Sequence, residues 1–294
     1  MNNKEIAGIR AMLAQLPEPQ SLNQLRQSYD NLGRLFPLPA DVTFEQISIG
    51  NIVAEWSSTR EANQQQIILY LHGGGYVIGS LNSHRLLVAE LGRAAGTRTL
   101  ALDYRLAPEA PYPAAVDDAI AAYQFLLDQG IPSKSIAFAG DSAGGGLCVA
   151  TLCKARDLGL SQPVCALLIS PWVDLELTGK SMDNKANDDP LLRREFLLQW
   201  ASTYLNGNPP TTALASPLHA DLNGIAPLKI QVGTSEVLLD DAIRLADRAK
   251  AEHVAVSLET WPEMIHVWHH YYPILNDARR ALSNAGAFIS QHMG

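Results

Sequence analysis

The stretch SIAFAGDSAGGGLCVA, Ser135 to Ala150, decides how the rest of the chain is read. A β-leaning apolar run, Ser135 to Ala139, meets a glycine, an acid and a serine. A cluster of glycines follows, and a second apolar run begins at Leu147. Gly140 to Gly144 fits G-x-S-x-G, with a predicted strand before it and a predicted helix after it. In that context the chain turns so sharply that the serine adopts strained backbone angles, and the residues two positions either side of it must be small. The hydroxyl of Ser142 is thereby pushed out of the turn. The helix start behind it offers backbone N–H groups and positive dipole charge to a developing anion.

The flanking sequence supplies the fold. Apolar, β-rich runs recur at QIILYL, RTLALDY, SIAFAG, VCALLIS, LKIQVG and VSLETW. Helical stretches lie between them, among them HRLLVAELGRAAG, AVDDAIAAYQFLLDQG and DDAIRLADRAKAEH. Continuous apolar strands alternating with helices predict an α/β fold whose mostly parallel sheet is covered on both faces. Upstream, VTFEQISIGNIVAEWSS predicts a hairpin turning at Gly50-Asn51. Residues 1–40 read as two amphipathic helices separated by Pro17 and Pro19. Residues 177–217 are too long for an ordinary connection between strands, and contain a helical piece, DPLLRREFLLQWASTYL. They predict an insertion above the sheet.

The chain has 294 residues and a formal charge of −8. That balance disfavours nucleic acid and anionic membrane surfaces as partners. Its three cysteines, Cys148, Cys153 and Cys165, are too few and odd in number for a disulfide framework, and predict buried thiols in a reducing compartment. The N-terminal residues lack a basic-then-apolar signal region, and no apolar run approaches about 18 residues. A cytoplasmic protein without a membrane span is expected.

A serine hydroxyl is a weak nucleophile at neutral pH and needs a base, which in turn needs an orienting acid. An acyl-transfer site also needs donors for the oxyanion. LYLHGGGYVIG places His72-Gly73-Gly74-Gly75 directly after a strand, where glycine lets the backbone approach a substrate carbonyl. The expected donors are the amides of Gly74, Gly75 and Ala143, with His72 bracing the loop. A dinucleotide fingerprint is excluded here, because Ile78 stands where the third glycine would be.

With these motifs in place the chain resembles the hormone-sensitive-lipase family of α/β-hydrolases, the bacterial family IV esterases. HGGGY at 72–76, DYRLAPE at 103–109, PYPAA at 111–115, GDSAGG at 140–145, SPWVDL at 170–175, SPL at 216–218 and IHVWH near 265 fall in the family's order. The resemblance covers most of the chain from about residue 65. It implies a serine carboxylesterase that needs no cofactor and acts on a small-molecule ester of short to medium acyl chain. It also implies a helical cap, which residues 1–40 and 177–217 would form. Residues 41–176 and 218–294 would be the α/β-hydrolase catalytic domain.

The triad order expected is Ser, acid, His. Of the six histidines after Ser142, His266 lies in EMIHVWHHY, after the last strand-like run, and matches the family's histidine. His269 and His270 read as packing residues. A metal site from His266, His269 and His270 lacks an HExxH pattern, so no metal is expected. The acid expected is Glu236 in GTSEVLLDD, although the family usually has Asp there. Asp240, Asp241 and Asp174 are its rivals, the first two reading as charges at a helix start. Arg105 and Glu109 are expected to form a structural ion pair. Asp141, next to the nucleophile, is a supporting residue that binds the cap or tunes the site. An amidase or peptidase on the same scaffold, or a non-catalytic receptor, are the other readings. The last strand, VSLETW, is expected at a sheet edge, where it could pair with its twin in a homodimer.

Overall fold

The computed structural model describes residues 4–17 and 19–294. Residues 1–3 and 18 of the N-terminal segment lie outside the described residues. Two helices open the chain, α1 (Lys4–Leu13) and α2 (Leu22–Leu32). The hairpin β1 (Val42–Ile49) and β2 (Ile52–Thr59) follows, turning at Gly50-Asn51 as expected. The chain then alternates through β3 (Asn63–Leu71), α3 (Leu81–Ala95), β4 (Thr97–Asp103), α4 (Ala114–Asp128), β5 (Ile136–Asp141), α5 (Ala143–Asp157) and β6 (Cys165–Ile169). The long connection carries α6 (Ser181–Asn184) and α7 (Arg194–Leu205). β7 (Leu228–Gly233), α8 (Leu239–Ala251), β8 (Val256–Trp261) and α9 (Asn276–Met293) complete it.

The eight strands form one sheet in the order β1-β2-β4-β3-β5-β6-β7-β8. β1, β2 and β4 pair antiparallel, and every pairing from β4 to β8 is parallel. The side-chain period of two sorts the central strands between two cores. Ile67, Leu69, Leu71, Phe138 and Leu168 join the core with residues of α4, α5 and α8. Ile68, Tyr70, Ala137, Ala139 and Leu167 join the core with residues of α3 and α9. These strands are apolar on both faces because helices cover both. β7 departs from the rule: Lys229 and Gln231 occupy one face, where they bond Glu259 and, from Gln231, also the Ala281 carbonyl and His269.

Register sets the level of the site. Leu71 pairs with Gly140, Asp141 with Ile169, Ile169 with Gln231, and Gly233 with Trp261. The strands therefore end along one rim, and the loops after β3, β5, β6, β7 and β8 emerge together, where open α/β sheets place their ligands.

The N-terminal helices are fastened to this rim. α1 buries Ile6, Ile9 and Leu13 against Trp261, Met264, Ile265 and Trp268. Each such burial is worth about 1.5–3 kcal/mol relative to exposure. α2 begins at the N-cap Ser21 and docks through Arg26. The Arg26 guanidinium donates to the carbonyls of Val77 and Ala107 and grips both oxygens of Glu109, at 2.7–3.0 Å. The expected Arg105–Glu109 pair is therefore corrected. Glu109 belongs to Arg26, and Arg105 folds instead onto Asp118, one helical turn into α4. Among the described residues, no helix is long and apolar enough to cross a membrane. Cys148, Cys153 and Cys165 are buried free thiols, as expected.

Candidate active site

The turn from β5 into α5 holds Ser142 at φ 53° and ψ −122°, a conformation that side chains rarely adopt. Its neighbours show why the motif needs glycine. A Cβ at Gly140 would collide with the carbonyl of Gly144, and one at Gly144 with the carbonyls of Leu71 and His72. The strand, the turn and the helix are in backbone contact there, and only hydrogen fits. Ala143 is the first residue of α5, where amides have no intrahelical partner.

Ser142 opens onto a cavity of about 200 Å3, with Gly74, Gly75 and His266 in its lining. The cavity walls are mainly apolar, and half of their residues come from the segments above the sheet. α2 and the residues after it give Leu25, Tyr29 and Phe36, while Leu191, Leu192 and Trp200 come from the 177–217 insertion. Trp200 lies against Gly75 so closely that a Cβ there would strike the indole.

Glu236 meets His266, which lines the same cavity as Ser142. The His266 Nδ1–H donates to Glu236 Oε2 at 2.8 Å, with the carboxylate fully buried. The other carboxylate oxygen, Oε1, accepts the Ser170 hydroxyl at 2.8 Å and the Gly233 amide at 2.6 Å. Ser170 Oγ also accepts from the Val267 amide at 3.2 Å. One hydroxyl thus ties the loop of the acid to the loop of the histidine. Burial lowers the His266 pKa, but the bond to and charge of Glu236 outweigh it and leave it above the ordinary value.

The rival acids are engaged elsewhere. Asp174 is buried against Arg244 at 2.6 Å and accepts from Thr178. Asp240 accepts the Ser181 amide. Asp241 is more than a helix-start charge: it is fully buried, and its Oδ2 accepts the amides of Val173 and Asp174. Burial pushes its pKa up to about 8.

Side chains beneath the glycine loop hold it from one side. His72 donates from Nδ1 to the Gly73 carbonyl at 2.7 Å and stacks on Tyr104 at 4.2 Å. Burial, then repulsion from His84, takes its pKa down to about 3, so the ring is neutral. Asp141 does not reach toward the cap. It lies fully buried beneath the loop and accepts the Gly73 amide at 3.0 Å and the Tyr70 hydroxyl at 2.7 Å. Burial alone would raise its pKa, but the adjacent His84 holds it below the usual carboxylate range.

His269 and His270 fall on a short 3-10 turn, Trp268–Tyr271. His269 bonds Gln231 within the core, in the packing role expected of it. The grouping of His266, His269 and His270 does not form. His270 instead lies beside His84 and Asp141, and all three can offer ligand atoms within 4.8 Å of one another. Sequence reading missed Ser170, Tyr70 and His84. Ser170 stands in SPWVDL, but nothing in its spacing announces a bond to a residue 66 positions away.

Comparison with known proteins follows the same lines. Residues 68–270 match a family model described as alpha/beta hydrolase fold. The chain is 47% identical over 279 residues to an acetyl-hydrolase of Streptomyces hygroscopicus, spanning 95% of this chain and 90% of that one. It is similar to the crystal structure of an esterase from the bacterial hormone-sensitive lipase family, with 43% identity, all of both chains covered and a TM-score of 0.97. The esterase EstE5, in a crystal soaked with p-nitrophenyl butyrate, superimposes over 98% of both chains with 42% identity and a TM-score of 0.94.

Proposed function

Since this chain belongs to the α/β-hydrolase family and is a carboxylesterase of the bacterial hormone-sensitive-lipase kind, we propose that it cleaves short- to medium-chain acyl esters with Ser142, His266 and Glu236 as its triad. The bond from His266 to the buried Glu236, beside a serine on a strained turn, carries the proposal. Ser142 Oγ attacks the ester carbonyl while His266 Nε2 takes its proton. The amides of Gly74, Gly75 and Ala143 receive the oxyanion, each essential donor contributing about 3–4 kcal/mol. Glu236 holds the proton on Nδ1 and stabilises the imidazolium. His266 returns its proton to the leaving alcohol, and water then hydrolyses the acyl-enzyme by the same steps.

Residues 1–40 and 177–217 serve as the cap that selects the acyl chain, because they supply half of the residues that line the cavity. A series of p-nitrophenyl esters from acetate upward, with an anilide control, tests both parts. Turnover is expected to be highest for short to medium acyl chains and far lower for the anilide. Deleting residues 1–35 removes Leu25 and Tyr29 from the wall and uncovers Trp261, Met264 and Trp268, so activity and solubility should both fall. An unchanged ester profile and stability in the truncated protein would remove the cap assignment.

The edge position of β8 supports a homodimer in which this strand meets its twin. Light scattering at micromolar concentration should give twice the chain mass; a monomer rules the pairing out. Three buried free thiols are compatible with residence in the cytoplasm.

A further inference from the structure

Beneath the glycine loop an imidazole and a carboxylate face each other, and the Gly73 amide points at both, 3.0 Å from Asp141 Oδ1 and 3.3 Å from His84 Nε2. Ser83 Oγ lies 2.9 Å from the Ser80 carbonyl oxygen and 2.8 Å from His84 Nδ1. His84 Nε2 lies 3.3 Å from Asp141 Oδ2 and 3.2 Å from Oδ1.

A third group joins this pair. The rings of His84 and His270 lie 4.9 Å apart, and the three residues offer ligand atoms within 4.8 Å of one another. Among the described residues, His270 Nε2 is buried with no hydrogen-bond partner. A proton shared by His84 and Asp141 leaves that nitrogen unused, and buried unpaired polar atoms are rare enough to need a reason. A separation of 3.3 Å is also close to that of neighbouring ligands in a tetrahedral site with bonds of about 2.0–2.1 Å. The surroundings are those of a supported site: Ser83 orients His84, while Tyr70 and the Gly73 amide hold the Asp141 carboxylate. His270 and Ser83 line the substrate cavity, which gives an ion its way in and leaves a face for a further ligand.

We propose that His84, Asp141 and His270 form a site for a divalent transition-metal ion of the zinc class, opening onto the acyl cavity, and that its occupancy slows ester hydrolysis. Two imidazoles and one carboxylate suit zinc, cobalt or nickel better than calcium or magnesium. A bound dication disfavours the imidazolium that His266 must form, and narrows the cavity at His270. The inhibitory half rests on the esterase reading; the binding half does not.

The full chain, dialysed against EDTA, is titrated with CoCl2 and followed by visible absorption, then with ZnCl2 in competition. Saturable tetrahedral cobalt bands at one ion per chain, displaced by zinc, are expected. His270→Gln and His84→Gln should each weaken binding at least about tenfold, while His219→Ala, in the separate group of Asp174, Glu176 and His219, should not. Each protein's rate in zinc is compared with its own metal-free rate, and wild type should be inhibited at lower zinc than either variant. Absence of cobalt bands overturns the site, as does binding that survives both variants or is lost in His219→Ala. Binding as expected without inhibition overturns the regulatory half alone.

Discussion

Replacing Ser142 with alanine is expected to lower ester turnover by at least about 10⁴-fold while leaving the protein folded. Loss of a triad serine elsewhere costs about 10⁶ in turnover, and the rest of the site retains some rate above water through its oxyanion donors and binding. The hydroxyl contributes nothing to the cores on either side of the sheet. Its backbone strain at φ 53° is imposed by the turn and is the same for alanine. Stability should therefore change by about 0.5 kcal/mol or less, and a thermal melt should not move appreciably. Substrate binding should survive, since the cavity wall is untouched. A purified variant that kept a tenth of the wild-type rate would show that another group attacks the ester.

The second large effect is expected from Glu236→Gln, a loss of about 10⁴ in turnover. The hydrogen bonds around the carboxylate say how. Oε1 accepts from both the Ser170 hydroxyl and the Gly233 amide. In glutamine that position must be taken by the amide oxygen, because an NH2 group would face two donors. The NH2 then points at His266 Nδ1, which can no longer donate. The ring proton moves to Nε2, where the base needs a lone pair. The substitution thus enforces the wrong tautomer as well as removing a charge. Glu236→Asp keeps the charge and should lose less, although its shorter reach strains the bonds to Ser170 and Gly233.

The pH profile adds a separate readout. His266 must be neutral to act as base, so kcat/KM falls as pH drops through its pKa. Glu236 raises that pKa against the effect of burial. With glutamine in place, burial dominates, and the acid limb should move to lower pH even as the plateau collapses. Asp240→Asn should mainly weaken the start of α8, by about 0.3–1 kcal/mol. Asp174→Asn should act on stability through Arg244. If Asp174→Asn or Asp240→Asn were the crippled enzyme and Glu236→Gln near wild type, the acid would be misassigned.

Much of this was legible in the sequence because the sheet is buried on both sides. Continuous apolar runs such as SIAFAG and LKIQVG have no other use in a chain of this charge, and the glycines around Ser142 mark a place where backbone meets backbone. His266 and Glu236 could be proposed from chain order and strand ends. Contacts across the fold could not. Arg26 finds Glu109 from 83 residues away, and no local pattern favours that over a pairing with Arg105. The same holds for Asp141. Its place in the motif was plain, but its bond to Gly73 depends on the register that sets Leu71 beside Gly140. Likewise, His269 and His270 both read as packing residues, whereas the 3-10 turn sends one into the core and the other toward the cavity.

The apolar upper wall of the cavity and the proton-handling residues come from different parts of the chain: residues 25–36 and 191–200 above the sheet for one, loops at the strand ends for the other. A lineage carrying this arrangement can drift in diet without relearning its chemistry, since exchanges at Leu25, Phe36 or Leu191 reshape what is held and touch neither Glu236 nor Ser170. Trp200 is where the separation fails. Its indole rests on Gly75, so a substitution there alters the room for substrate and the seat of an oxyanion donor together. Inherited variation should accordingly be freer along the rest of the wall than at this one indole, where a gain in appetite comes at the expense of rate.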